Sequence, residues 1–145
     1  MTTLRRPGRL ALVGGIALSV GLAGIAAAWA QASVPRSVTA EIGIRYSRYE
    51  RSRLTVPAGV PITIVLRNDD PIDHEWIVGD AAAHERHRNG TEAVHASRPT
   101  EVTIPAGMSR TTTITFDVPG TDRYICHLPG HEAYGMVGTL VVTGR

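Results

Sequence analysis

Residues 124–136 read YICHLPGHEAYGM. The single cysteine of the chain, Cys126, is followed five residues later by His131 and five further on by Met136. On an α-helix five steps turn about 500°, which would leave successive members about 140° out of line. Pro129, Gly130 and Gly135 oppose a helix in any case. A strand would alternate their faces. The stretch is therefore read as a tight loop between two strands, Arg123–Cys126 and Met136–Thr143, and such a loop can bend all three side chains toward one point.

Working outward, the rest of the chain after residue 32 is a series of short alternating runs broken by turn residues. VTAEIGIRY places Val38, Ala40, Ile42, Ile44 and Tyr46 on one face of a strand. Leu54–Val56, Pro61–Asn68 and His74–Val78 come next, then Glu101–Ile104 and Arg110–Val118. Pro57-Ala58-Gly59, Asn68-Asp69-Asp70-Pro71, Pro105-Ala106-Gly107 and Pro119-Gly120 are the turns. Seven to eight short strands at this spacing predict an all-β sandwich or barrel. Residues 79–99, GDAAAHERHRNGTEAVHASRP, lack strand alternation and read as a His-rich insertion. Within it, Ala81–Arg88 is expected as a short helix ended by Asn89-Gly90.

A thiolate, an imidazole and a thioether form a soft to borderline ligand set. With a second imidazole they make the blue-copper arrangement, in which methionine is a weak, long axial ligand. His74 is the candidate for that imidazole, because it follows the turn NDDPID and opens the strand HEWIV at a sandwich end. Structural zinc would use more thiolates or imidazoles. Covalent haem needs CxxCH, and Arg123 stands where its first cysteine would be. A binuclear copper centre needs two cysteines, and a multicopper oxidase would have histidine where Ile125 stands. A Cys–His hydrolase stays open, though no third orienting group stands at a readable spacing.

This pattern resembles the cupredoxin family, the blue-copper proteins that include plastocyanin and azurin. Its ligand spacing is similar to that of the rusticyanin and auracyanin branch. The resemblance covers residues 38–144 and implies a Greek-key β-sandwich holding one type 1 copper through His74, Cys126, His131 and Met136. It implies a one-electron carrier rather than an enzyme, docking redox partner proteins near His131, where Leu128, Pro129, Ala133 and Gly135 would form an apolar rim. A copper delivery or copper-tolerance protein is the alternative. Glu75 stands where the family has an asparagine beside the upstream histidine. His127 is expected to point away from the copper, solvent-facing or hydrogen-bonded. His84, His87 and His95 read as a polar surface loop, with a second metal as the competing reading.

Residues 1–32 begin with Arg5, Arg6 and Arg9 and run without charge from Leu10 to Ala30. They read as a secretory signal, with a retained membrane anchor as the rival. The remaining 33–145 form one domain of 113 residues. Three of the 15 basic residues and none of the 13 acidic ones lie in the first 32, so the domain carries a net charge of −1. That balance gives no case for nucleic-acid binding. An extracytoplasmic monomer is expected.

Overall fold

The computed structural model of the chain describes residues 37–90, 94–95 and 98–144. The signal or anchor expected at 1–32 lies outside them. Among the described residues no helix is long and apolar enough to cross a membrane.

Eight strands are described: β1 (Val38–Ile44), β2 (Arg53–Pro57), β3 (Pro61–Asn68), β4 (His74–Gly79), β5 (Glu101–Ile104), β6 (Ser109–Thr115), β7 (Gly120–Ile125) and β8 (Val137–Thr143). One helix, α1 (Ala81–Arg88), sits between β4 and β5. They build two sheets, β1-β3-β6 and β2-β8-β7-β4-β5, in the two-layer sandwich expected. In β3 the alternation is complete: Ile62, Ile64, Leu66 and Asn68 point inward and the residues between them are half-buried. The three apolar side chains among them meet Trp76, Tyr124, Leu140 and Val142 of the other sheet in one core. Each fully buried Ile or Leu contributes about 1.5–3 kcal/mol.

Three strand ends differ from expectation. Tyr46 is not the last inward residue of β1; it is 83% exposed. It and Ser47 take left-handed φ values of 55° and 53°, a conformation that turns both amides toward the Asp70 carboxylate. β6 stops at Thr115 because its partner β3 begins opposite it, at Pro61. β7 starts at Gly120 because β8 reaches far enough to pair it with Val142.

β4 is buried on both faces. Trp76 and Val78 join the core, while the other face is covered by α1, whose Ala83 lies against Gly79. Asp80 caps the helix by accepting from the Ala83 amide at 2.8 Å. This corrects the reading of the insertion as a polar surface loop, because His84, His87 and His95 are all buried. His127 does point away from the core, as expected, yet it is not solvent-facing: its side chain is 3% exposed. Its Nε2 lies 3.0 Å from Nδ1 of His84. The helix has folded over the sheet, and its histidines have become the roof of a polar layer.

The packing around Tyr124 is tight enough to test. A Cβ added at Gly138 would overlap the ring of Tyr124, which is directly opposite and held edge-on against Tyr49. Gly138→Ala should lower stability by about 2–3 kcal/mol in urea unfolding, and Gly144→Ala, with open space around it, should not. Equal midpoints for the two variants would contradict the packing.

The polar layer makes stability depend on pH. Burial pushes the His127 imidazole down to about 4, against a partial upward pull from Glu132. In the unfolded chain the ring takes up its proton near pH 6.5. Between those values the unfolded state binds more protons, so this contribution to stability is full above pH 6.5 and is lost as pH falls toward 4. In the metal-free protein, His127→Gln should reduce the slope of stability between pH 6.5 and 4.5. Parallel profiles for the two proteins would rule out this account of His127.

Candidate metal centre

The connections β1–β2, β3–β4, β5–β6 and β7–β8 all lie at one end of the sandwich, as the strand directions require. His74 opens β4 there. Cys126 and Met136 flank the β7–β8 loop. The β7–β8 ladder pairs Ile125 with Val137, and the Cys126 amide then donates to the Met136 carbonyl at 3.2 Å. Opposed residues of an antiparallel pair share a face, so Cys126 and Met136 both turn inward, and both are fully buried. Between them the loop closes through a run of turns. Gly130 and Gly135 take φ values of 86° and 89°, and the Met136 amide donates to the His131 carbonyl at 2.9 Å. This is how side chains at spacings of five meet without a helix.

The result brings together three of the four candidate ligands. His131 Nδ1 lies 3.2 Å from Cys126 Sγ and 3.2 Å from His74 Nδ1. Ligands held at about 2.0–2.3 Å around a trigonal ion lie about 3.5 Å apart, so His131 Nδ1 already stands close to that spacing from both other donors, and all three lie within 4.8 Å of one another. His74 and Cys126 are fully buried, while His131 reaches partway to the surface. His74, Cys126 and His131 thus form a potential type 1 ligand group.

A chain of polar contacts fixes the upstream imidazole. The Asn68 amide group donates to the carbonyls of Ile72, Ile104 and Pro105 at 2.8–3.1 Å, and its Oδ1 accepts from the Asp70 amide at 3.0 Å. Asp70 in turn sits 2.9 Å from His74 Nε2. A carboxylate on one ring nitrogen places the proton there and leaves the lone pair of Nδ1 directed at the site. Burial raises the Asp70 pKa, but the amides of Ser47 and Tyr46, with His74, more than offset this, so it stays below its ordinary value and ionised. Sequence reasoning misses Asp70, although a signal exists in the four-residue spacing from Asp70 to His74 across the Pro71 turn.

Burial pushes the Cys126 thiol up to about 11, with the amides of Glu75 and Leu128 acting against it. The Glu75 amide donates to Sγ at 3.4 Å. The ladder of β4 against β7 ends at Ile77 opposite Ile125, which leaves this amide for the sulfur. A thiol so placed becomes thiolate when a cation takes the proton's place. His131 is lowered from its ordinary value by burial and by the neighbouring His74, which favours the neutral ring that ligates metal.

The model of the copper-binding proteins of the plastocyanin/azurin family matches residues 37–143. The chain is 32% identical over 99 residues to the copper-resistant cuproprotein CopI of Rubrivivax gelatinosus, covering 66% of this chain and 59% of that one. It is 32% identical over 110 residues to Auracyanin-B of Chloroflexus aurantiacus, covering 66% of this chain and 47% of that one. The chain therefore spans about half to three fifths of the length of these two curated relatives. Among solved structures, dithionite-reduced auracyanin from Roseiflexus castenholzii superimposes with a TM-score of 0.63 at 26% identity, over 73% of this chain and 97% of that one. With the family's model matched over residues 37–143 and its fold shared with the auracyanin structure, the chain belongs to the plastocyanin/azurin family of copper-binding proteins.

Proposed function

We propose that the protein is an exported electron carrier whose single type 1 copper is held by His74, Cys126 and His131, with Met136 as the weak axial ligand. The observation that carries the reading is the approach of His131 Nδ1 to 3.2 Å from both His74 Nδ1 and Cys126 Sγ, with His74 and Cys126 already held by other bonds. When bound, copper supplies a one-electron couple between Cu(II) and Cu(I). Asp70 and the Asn68 anchor hold the His74 ring in one orientation. The Glu75 and Leu128 amides stabilise negative charge on Sγ. Met136 is fully buried and paired through the backbone with Cys126 at the mouth of the loop. A site that keeps one geometry in both oxidation states needs little rearrangement per electron.

The surface supports the same reading. Of the seven exposed large apolar side chains among the described residues, four, Tyr46, Ile72, Met108 and Tyr134, belong to the four connections at the end that carries His131. An apolar end around a partly exposed ligand suits brief docking of a redox partner near His131. The uncharged run Leu10–Ala30 behind an arginine-rich start supports an extracytoplasmic site of action, free or tethered. The chain needs no substrate pocket for this role and is not proposed as an enzyme. The second reading is copper handling or tolerance, favoured by the likeness to a copper-resistant cuproprotein. A reversible one-electron couple with copper retained through many cycles supports the carrier; ready transfer of the copper to a competing chelator supports handling.

Cys126→Ser should abolish the intense visible absorption of the copper-loaded protein, since only a thiolate supplies that charge transfer. Persistence of the colour would sink the ligand set. Met136→Leu should keep copper and raise the reduction potential in film voltammetry. If this variant loses copper altogether, Met136 is a primary ligand and the site is of another type.

A further inference from the structure

The face of the five-stranded sheet turned away from the core holds a second convergence of ligating side chains. His87 comes from α1, His95 from the connection after it, and Glu101 from the start of β5. One donor atom from each lies within 4.8 Å of the others. All three are buried. His87 Nε2 is 3.7 Å and His95 Nδ1 is 4.0 Å from the same oxygen, Oε2 of Glu101. Donors about 2.0–2.2 Å from a tetrahedral ion lie about 3.4 Å apart, so a contraction of roughly half an ångström to about an ångström would close this group around one.

The rings are already oriented as metal-bound histidines are. His87 Nδ1 lies 2.7 Å from the Ala83 carbonyl, which can only accept, so the proton is on Nδ1. Its Nε2 is the atom left facing the group, buried and without a hydrogen-bond partner. His95 turns Nδ1 toward Glu101 and places Nε2 3.5 Å from the Glu75 carboxylate. A carbonyl behind one imidazole and a carboxylate behind the other are the outer contacts that hold ligating rings. The helix register also separates the roles of its two histidines: His84 pairs with His127, and His87 faces His95, with ring centroids 4.9 Å apart.

We propose that His87, His95 and Glu101 form a second metal site, on the opposite sheet face from the copper ligands, for one divalent cation of the Zn2+ or Cu2+ class. Two imidazoles and a carboxylate suit such borderline ions, and the absence of a sulfur donor among the three disfavours Cu(I). The site stands on this geometry alone and does not depend on the electron-carrier reading. Its link to the copper centre is short. Glu75, behind His95, gives its amide to Cys126, and Arg88, next to His87, forks onto Glu132 of the β7–β8 loop at 2.9 and 2.7 Å.

The test is a titration of the copper-loaded protein, cleared of loose metal, with Zn2+ by calorimetry and metal analysis. One tight equivalent of zinc should bind beyond the copper, with the visible spectrum unchanged. His87→Gln and Glu101→Gln should each weaken it about a hundredfold or more, a conservative figure given the cost of losing even an outer contact, while His84→Gln should retain it. Near-ultraviolet circular dichroism shows which variants are folded. Should the first two not fold, zinc-edge X-ray absorption of the wild type decides: nitrogen and oxygen neighbours alone support the site, and a sulfur neighbour overturns it. No second equivalent, zinc bound only by displacing copper, or an equivalent that survives in folded His87→Gln and Glu101→Gln would each overturn the proposal.

Discussion

The register of β4 against β7, with Ile77 opposite Ile125, is the constraint on which both faces of the sheet depend. Side chains alternate along a strand, so this one pairing sends His74 and Cys126 to the core face and Glu75 and His127 to the outer face. A one-residue slip of β7 would put the thiol under the helix, and one of β4 would put a carboxylate in the core. The ladder also ends at that pair. Past it, the Glu75 amide has the Cys126 sulfur as its partner, and the strands open just enough for the loop to bring His131 between them.

That register yields a centre whose parts are held before any metal arrives. His74 is fixed from behind by Asp70, Asp70 by Asn68, and Asn68 by the carbonyls of Ile72, Ile104 and Pro105. Cys126 and Met136 are joined through the backbone at the mouth of the loop. The outer layer braces the same loop: the Arg88 guanidinium bonds Glu132 through two nitrogens, in the planar two-point geometry that suits arginine and a carboxylate. A buried apolar shell on one side and an ion-paired helix on the other limit how far the ligands can move.

The core alternation and the candidate ligands of the loop are legible in the sequence because they depend on local signals. Ile62, Ile64 and Leu66 announce a strand by period alone, and Cys126, His131 and Met136 lie within a single loop whose proline and glycines exclude a helix. The helix Ala81–Arg88 is legible from its Asn89-Gly90 end. The illegible parts depend on contacts between distant segments. Asp70 reads as a turn residue, and only the fold shows it behind His74. His84, His87 and His95 read as surface residues because α1 is polar all round; its burial comes from docking onto the outer face of β4 and onto His127, which no local pattern encodes. Glu101 carries no signal as a ligand, since its neighbours His87 and His95 reach it only through tertiary packing.

The central claim is that this fold presents one sulfur and two imidazole nitrogens to a single copper in nearly the same geometry whatever its charge. Copper-edge X-ray absorption of the loaded protein, oxidised and then reduced, tests it most directly. The proposed ligand set predicts one short copper–sulfur and two copper–nitrogen distances in both states, with little change between them. A first shell without sulfur, or one that loses a nitrogen on reduction, would contradict it.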